Sequence, residues 1–169
     1  MAILGTGRED NGIKGFSLIE ILTVLAIIGI LLTIANSMFS AFRQRTNLRE
    51  AAGALAEDMK LAKQRAVAEN VKYSITYNIS SNNYAMNQYD INGIMINPPI
   101  KTVNLSDFGN GISILSQNYS GGDSGTITFQ PRGTCDKTGT ITLQTSLNST
   151  IAITTTTMGR ITIGTVTIP

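Results

Sequence analysis

The sequence contains no histidine and a single cysteine, Cys135, among its 169 residues. A chain without histidine cannot form a Ser-His-Asp triad, a Cys-His catalytic pair or a zinc site with mixed cysteine and histidine ligands. One cysteine also excludes an intrachain disulfide, so Cys135 is expected either to be buried and inert or to pair between chains. These absences remove several common catalytic and metal-binding arrangements.

Charged residues are also scarce, at 14% of the chain with a formal net charge of +2. From Tyr73 to Pro169 there are four basic and four acidic residues, so no large basic face is expected there. The acidic residues form no recognisable catalytic pair, and no glycine loop of the phosphate-binding kind is present. The sequence therefore disfavours nucleic acid as a partner and predicts no enzyme, no cofactor and no metal site.

Proline is absent before Pro98, and the most apolar stretch lies within this proline-free part. Phe16 to Ala35 is a run of 20 residues with one charge, Glu20. At about 1.5 Å per helical residue the run covers about 30 Å, the thickness of a bilayer's hydrocarbon core. A carboxylate inside lipid costs roughly 2.5 to 3.5 kcal/mol and usually has a partner, unless it reaches the headgroups. The run predicts a membrane helix whose single charge needs an explanation.

The residues at the head of this run read Lys14-Gly15-Phe16-Ser17-Leu18-Ile19-Glu20. A secretory signal peptide would place its small cleavage residue after the apolar run, whereas here Gly15 precedes it. The segment resembles the class III signal of type IV pilins and type II secretion pseudopilins. The resemblance implies that prepilin peptidase cleaves between Gly15 and Phe16 on the cytoplasmic side and that the new Phe16 amine is N-methylated.

The resemblance also implies a role for Glu20. Because Glu20 follows Phe16 by four positions, the carboxylate and the new α-amine are expected on one helix face. In the family's pattern this glutamate neutralises the N-terminal amine of a neighbouring subunit, and a paired charge is tolerated in an apolar environment where a lone one is not. Glu20 is therefore expected to serve filament assembly. Pilins commonly carry a helix-kinking proline where this chain has Ser37.

The helical pattern continues beyond the apolar run. An apolar stripe recurs at spacings of three and four residues, at Leu48, Ala52, Leu55, Met59, Ala62 and Ala66. The other faces carry charges that we expect to be solvated: Arg49, Glu50, Glu57, Asp58, Lys60, Lys63, Arg65 and Glu69. One helix from about Phe16 to about Glu69 is predicted, with Asn70 as its stop and the stripe packed on a β domain.

From Lys72 onward, β-branched, aromatic and turn-forming residues dominate. Eight strands are predicted, at Lys72 to Asn78, Asn83 to Tyr89, Lys101 to Asn104, Ile112 to Ser116, Gly125 to Phe129, Gly139 to Thr145, Ile151 to Thr155 and Arg160 to Ile168. Several alternate apolar and polar residues, as half-buried antiparallel strands do. The predicted fold is α+β: a long N-terminal helix, membrane-spanning in its first half and amphipathic in its second, packed on a C-terminal antiparallel β-sheet domain.

Three later segments narrow the resemblance. They are Phe129-Gln130-Pro131-Arg132-Gly133, Gly139-Thr140-Ile141-Thr142-Leu143 and Gly159-Arg160-Ile161. In this order they are similar to the GspH/FimT branch of minor pseudopilins. The resemblance implies a minor subunit that helps to initiate or cap a short filament in a type II secretion system or a type IV pilus. Its implied partners are other pilins or pseudopilins, prepilin peptidase, the inner-membrane assembly platform and, before assembly, inner-membrane lipid.

The same resemblance leaves an alternative open. Some members of the FimT side bind DNA through a G-R-x-R loop, and this chain reads Gly159-Arg160-Ile161-Thr162, so only the first arginine matches. Phosphate binding needs several cations acting together, and the residues to test are Arg160, Lys137 and Arg132. A hairpin turn that begins the last strand is the plainer interpretation of Gly159 and Arg160.

These expectations divide the chain into four segments. Residues 1–15 are a removable leader, residues 16–36 a transmembrane and filament-core helix, residues 37–70 its amphipathic continuation and residues 71–169 a periplasmic β domain. The implied location is the bacterial inner membrane, with a single pass and the C-terminal domain in the periplasm.

Overall fold

The structure is a computed structural model that describes residues 16–120 and 125–169. For residues 34–37 it describes the backbone alone. The predicted leader, Met1 to Gly15, lies outside the described residues. The described residues divide into two units, the first ending at Phe39 and the second beginning at Ser40.

One long α-helix, α1, runs over Leu18–Glu69, a length of 52 residues, and a short 3₁₀ helix spans Leu105–Phe108. This confirms the prediction of one long helix. Helix formers dominate the segment, which holds no proline and only two glycines, Gly29 and Gly53. The helix ends at the predicted stop, where Asn70 adopts the left-handed conformation with φ 56°.

Eight strands follow, and all eight were predicted. They are β1 (Tyr73–Asn78), β2 (Asn83–Gln88), β3 (Lys101–Asn104), β4 (Ser113–Tyr119), β5 (Thr126–Phe129), β6 (Gly139–Gln144), β7 (Thr150–Thr155) and β8 (Ile161–Ile163). They form two four-stranded sheets with the orders β3-β2-β1-β5 and β4-β6-β7-β8. Every pairing is antiparallel, with Ile75 opposite Ile127 in the first sheet and Ile141 opposite Ile153 in the second.

The core of the second unit joins the helix stripe to one face of each sheet. All six stripe residues named from the sequence are fully buried. They share one cluster with the inward side chains of both sheets, among them Ile75, Phe129, Leu143 and Ile153. Along β7 every second residue is buried, which is the alternation expected of a sheet with one face on the core. The predicted α+β architecture is therefore confirmed.

Three predictions of detail were wrong. The fourth strand continues to Tyr119 rather than ending at Ser116, because residues 117 to 119 go on pairing with β6. The last strand ends at Ile163 rather than Ile168. Gly164 bonds to Ala152 and Thr167 lies opposite Thr150, so this segment has one residue more than the facing part of β7 and forms a bulge. Asp58, placed on the solvated face, is only 5% exposed. Spacing alone could not reveal that Asp58 has polar partners on the neighbouring sheet.

Candidate functional site

The N-terminal part of α1, with Phe16 just before it, presents an exposed apolar surface. Its large side chains are exposed, including Phe16 at 79% and Leu18 at 80%. Of the part of the chain that the structure describes, one helix is long and apolar enough to cross a membrane, and it is α1. Such a surface is favourable only in lipid or against other apolar surfaces.

Phe16 and Glu20 lie on the same face of this helix. Together with Ile21, Val24 and Leu25 they line one shallow groove along it. The backbone N–H of Glu20 donates to the Ser17 carbonyl at 3.0 Å, so the first helical turn begins directly after Phe16. Both side chains line one groove, and the pairing of a Phe16 amine with the Glu20 carboxylate of another subunit stays a prediction. Gly15, the other half of the processing site, lies outside the described residues.

Two threonine hydroxyl groups on the apolar helix donate hydrogen bonds to backbone carbonyls of the same helix. The Thr23 hydroxyl donates to the Ile19 carbonyl at 2.8 Å, and the Thr33 hydroxyl donates to the Gly29 carbonyl at 3.0 Å. Bonds of this kind allow threonine to face lipid or another helix without an unpaired donor. Glu20 is left as the one charged side chain of the apolar run.

The two arginines named as nucleic-acid candidates lie on neighbouring turns of the second unit. Arg132 belongs to the turn after β5, which is closed by the Gly133 N–H donating to the Gln130 carbonyl at 2.9 Å. Arg160 ends the turn between β7 and β8, as the hairpin interpretation predicted. A Cβ atom added to Gly159 would collide with the Gly133 carbonyl oxygen, so the two turns touch. Both arginine side chains are exposed.

The third candidate, Lys137, is half-buried and directed elsewhere. Its Nζ donates to the Thr126 carbonyl on β5 at 3.4 Å. A different lysine reaches the arginine-bearing turns: Nζ of Lys63, on α1, donates to the Gly159 carbonyl at 2.9 Å. The sequence reasoning missed Lys63 because its charge fitted an ordinary solvated helix face, and no local signal marks a partner 96 residues away.

Cys135 is buried, with 6% of its surface exposed, and it is a free thiol. Burial, with the nearby Asp136 carboxylate as a secondary cause, raises the pKa of the Cys135 thiol to about 12. The thiol is therefore protonated and unreactive at neutral pH, which favours the first of the two roles expected from the sequence.

Comparison with known proteins bears on both parts of the chain. The prokaryotic N-terminal methylation motif matches residues 10–36. No curated protein sequence matches the chain. Among solved structures, the minor pseudopilin EpsH from the type 2 secretion system of Vibrio cholerae superposes with a TM-score of 0.57 at 8% identity, covering 70% of this chain and 96% of that chain.

The minor type IV pilin FimU of Pseudomonas aeruginosa superposes with a TM-score of 0.56 at 17% identity, covering 73% of this chain and 92% of that chain. Identities this low establish a common fold and not a common role. The N-terminal motif is an independent finding, because it lies in the sequence of the helix and not in the shape of the β domain. The chain therefore carries the prokaryotic N-terminal methylation motif on a fold that is similar to those of the minor pseudopilin EpsH and the minor pilin FimU.

Proposed function

We propose that this chain is a minor pseudopilin or minor pilin, a subunit that helps to initiate or cap a short periplasmic filament. The filament belongs to a type II secretion system or a type IV pilus machine. The observation that carries the proposal is the exposed apolar helix headed by the methylation motif, with Phe16 and Glu20 on one face. The role is structural and requires no catalytic side chain.

The proposal assigns a task to each segment. Prepilin peptidase removes residues 1–15, and the new Phe16 amine is methylated. Residues 16–36 anchor the chain in the inner membrane as a single pass and later enter the filament core. Residues 37–70 carry the helix into the periplasm, where residues 71–169 pack on it as the β domain. Other pilins or pseudopilins bind through the helix, and the inner-membrane assembly platform receives the processed subunit.

The energetics of the helix support this order of events. In the membrane, lipid covers the exposed apolar side chains, and in the filament neighbouring helices cover them. The Glu20 carboxylate is costly in both settings until it meets a cation, and the Phe16 amine of a neighbouring subunit supplies one. Glu20 thereby selects the axial position at which a subunit enters the filament.

The test measures how much of the processed chain is recovered with filaments that are sheared from cells. The strain used also expresses the partner subunits. Glu20→Gln keeps the shape of the side chain and removes its charge, so it is expected to leave processing intact and to lower filament incorporation at least tenfold. Thr23→Val is the control, because the Thr23 hydroxyl bonds only within its own helix. Equal incorporation of Glu20→Gln and the parent chain would refute the assembly role of Glu20.

The alternative is a FimT-like minor pilin that binds DNA for natural transformation. One observation favours it: the turns that carry Arg132 and Arg160 touch. Two exposed guanidinium groups can neutralise about two phosphates, which predicts weak binding with a shallow salt dependence. A double Arg132→Ala, Arg160→Ala variant that lost DNA uptake while still entering filaments would establish this alternative.

A further inference from the structure

A groove of about 530 Å³ lies between α1 and the last strand of the second unit. On the helix side it is lined by Lys60, Lys63, Gln64 and Val67, and on the strand side by Gly159 and Ile161. Filament assembly as proposed uses the N-terminal helix and leaves this groove without a role. Its two walls and its charge indicate what it can bind.

The strand wall of the groove is the unpaired edge of a sheet. β8 is the last strand in the order β4-β6-β7-β8, and within residues 16–120 and 125–169 it pairs with β7 alone. The Thr156 N–H donates to the Arg160 carbonyl at 3.0 Å, and the Gly164 N–H donates to the Ala152 carbonyl at 2.7 Å, so residues 160, 162 and 164 face β7. By antiparallel alternation, the N–H and C=O groups of Ile161 and Ile163 face away from the sheet.

The side chains of Ile161 and Ile163 show which face of the sheet an added strand would extend. Ile161 lies opposite the buried Thr155, and Ile163 lies opposite the buried Ile153, so both point to the inner face of the sheet. A strand laid beside β8 would continue this inner face over the helix, where Val67 is 51% exposed. The bulge after Ile163 limits the pairing to a short segment, which is sufficient for peptide recognition and too short for open-ended sheet growth.

The charge of the groove is of one sign. Lys60 and Lys63 line it, and among the residues that the structure describes no carboxylate does. Lys63 has one of its three protons committed to the Gly159 carbonyl. Lys60 is exposed and makes no ion pair with any residue in the ranges 16–120 and 125–169. An extended segment that places a carboxylate over Lys60 would form an ion pair with the ammonium group of this lysine.

We propose that the groove binds an extended, acidic peptide segment of another protein chain, which adds as a strand to the free edge of β8. The main chain of the segment pairs with Ile161 and Ile163, its apolar side chains cover Val67, and its carboxylate meets Lys60. A phosphodiester backbone cannot supply the alternating donors and acceptors that this edge requires, so a peptide fits better than a nucleic acid. This proposal does not depend on filament assembly.

The test uses the full chain in detergent micelles and three blocked heptapeptides with Thr at every second position, so that Glu and either Val, Leu or Ile share the other strand face. We expect at least one acidic peptide, at 1 mM, to slow amide exchange of Ile161 and Ile163 at least tenfold, while the amide of Thr162, already paired with β7, changes little. The matching Lys peptides should have no effect. Lys60→Glu should weaken acidic-peptide binding at least tenfold, whereas Arg49→Glu, the same charge change at another exposed site of α1, should not.

Each other outcome overturns the proposal. Absence of protection with all three acidic peptides would show that the edge does not accept a strand. Equal effects of the Lys and Glu peptides, or equal binding by the Lys60→Glu variant, would refute the charge match. Protection of the same amides by a single-stranded 20-nucleotide oligothymidylate, in place of the peptides, would assign the groove to nucleic acid instead.

Discussion

Nζ of Lys101 on β3 lies 2.7 Å from Oδ1 of Asp58 on α1 and 2.8 Å from Oδ2. The Tyr84 hydroxyl, on β2, donates to the same carboxylate at 2.7 Å. The two members of the ion pair differ in environment, because the Asp58 side chain is 7% exposed and the Lys101 side chain 49%. The pair therefore ties the helix to the edge of the first sheet, and the cost of breaking it depends on which partner is removed.

We expect Lys101→Met to destabilise the fold more than Asp58→Asn. The first leaves a buried carboxylate with Tyr84 alone and should cost about 2 to 4 kcal/mol of unfolding free energy. The second leaves a lysine that can return to water and an amide that still accepts from Tyr84, so about 1 to 2 kcal/mol is expected. Urea unfolding of the full chain in micelles measures both. The reverse order of costs would contradict the buried ion pair.

We expect Gly159→Ala to destabilise the fold by more than about 1 kcal/mol. Gly159 has φ 70°, which disfavours a side chain, and its Cβ would meet the Gly133 carbonyl. Gly53→Ala is the matched control, since a Cβ at this helical position meets nothing within 4 Å. Alanine there should stabilise the helix by about 0.5 to 1 kcal/mol. Thermal unfolding should therefore shift in opposite directions for the two variants, and a shift in the same direction would refute this contact.

Buried tyrosines make stability sensitive to alkaline pH. Burial raises the pKa of Tyr119 to about 12, and it also raises the pKa values of Tyr77 and Tyr84 above the ordinary value near 10. The unfolded chain releases these protons first, so their contribution is complete below pH 10 and is lost as pH rises towards 12. The free energy of unfolding, measured by urea titration, should therefore decrease as the pH is raised from 10 towards 12. Tyr119→Phe should reduce that slope by up to about 1.4 kcal/mol per pH unit, and an unchanged slope would contradict the role of Tyr119.

Much of the fold could be predicted because the physical signals are local. Each signal is a property of a short segment. The signals are the continuous apolar run, the spacing of Leu48 to Ala66, the helix stop at Asn70 and the alternation of apolar and polar residues within strands. The N-terminal methylation motif could be recognised for the same reason, because it is a run of adjacent residues. Cleavage between Gly15 and Phe16 stays a prediction.

What could not be predicted depends on contacts between distant residues. Asp58 and Lys63 look like ordinary members of a charged helix face, and only tertiary structure brings them to Tyr84, Lys101 and Gly159. The bulge that shortens β8 arises from pairing with β7, and the pattern of residues 160 to 168 does not reveal it. The groove between α1 and β8 follows from the same distant contacts.

The central claim is that the chain is processed and used as a pilin-like subunit, and the mass of its mature N-terminus tests this most directly. The full chain is co-expressed with a prepilin peptidase, and the N-terminal peptide is analysed by mass spectrometry for the parent and for Gly15→Ala. We expect the parent to begin at N-methylated Phe16 and the variant to keep its leader. A parent chain that still begins at Met1, or that is cleaved after the apolar run near Ala35, would contradict the account.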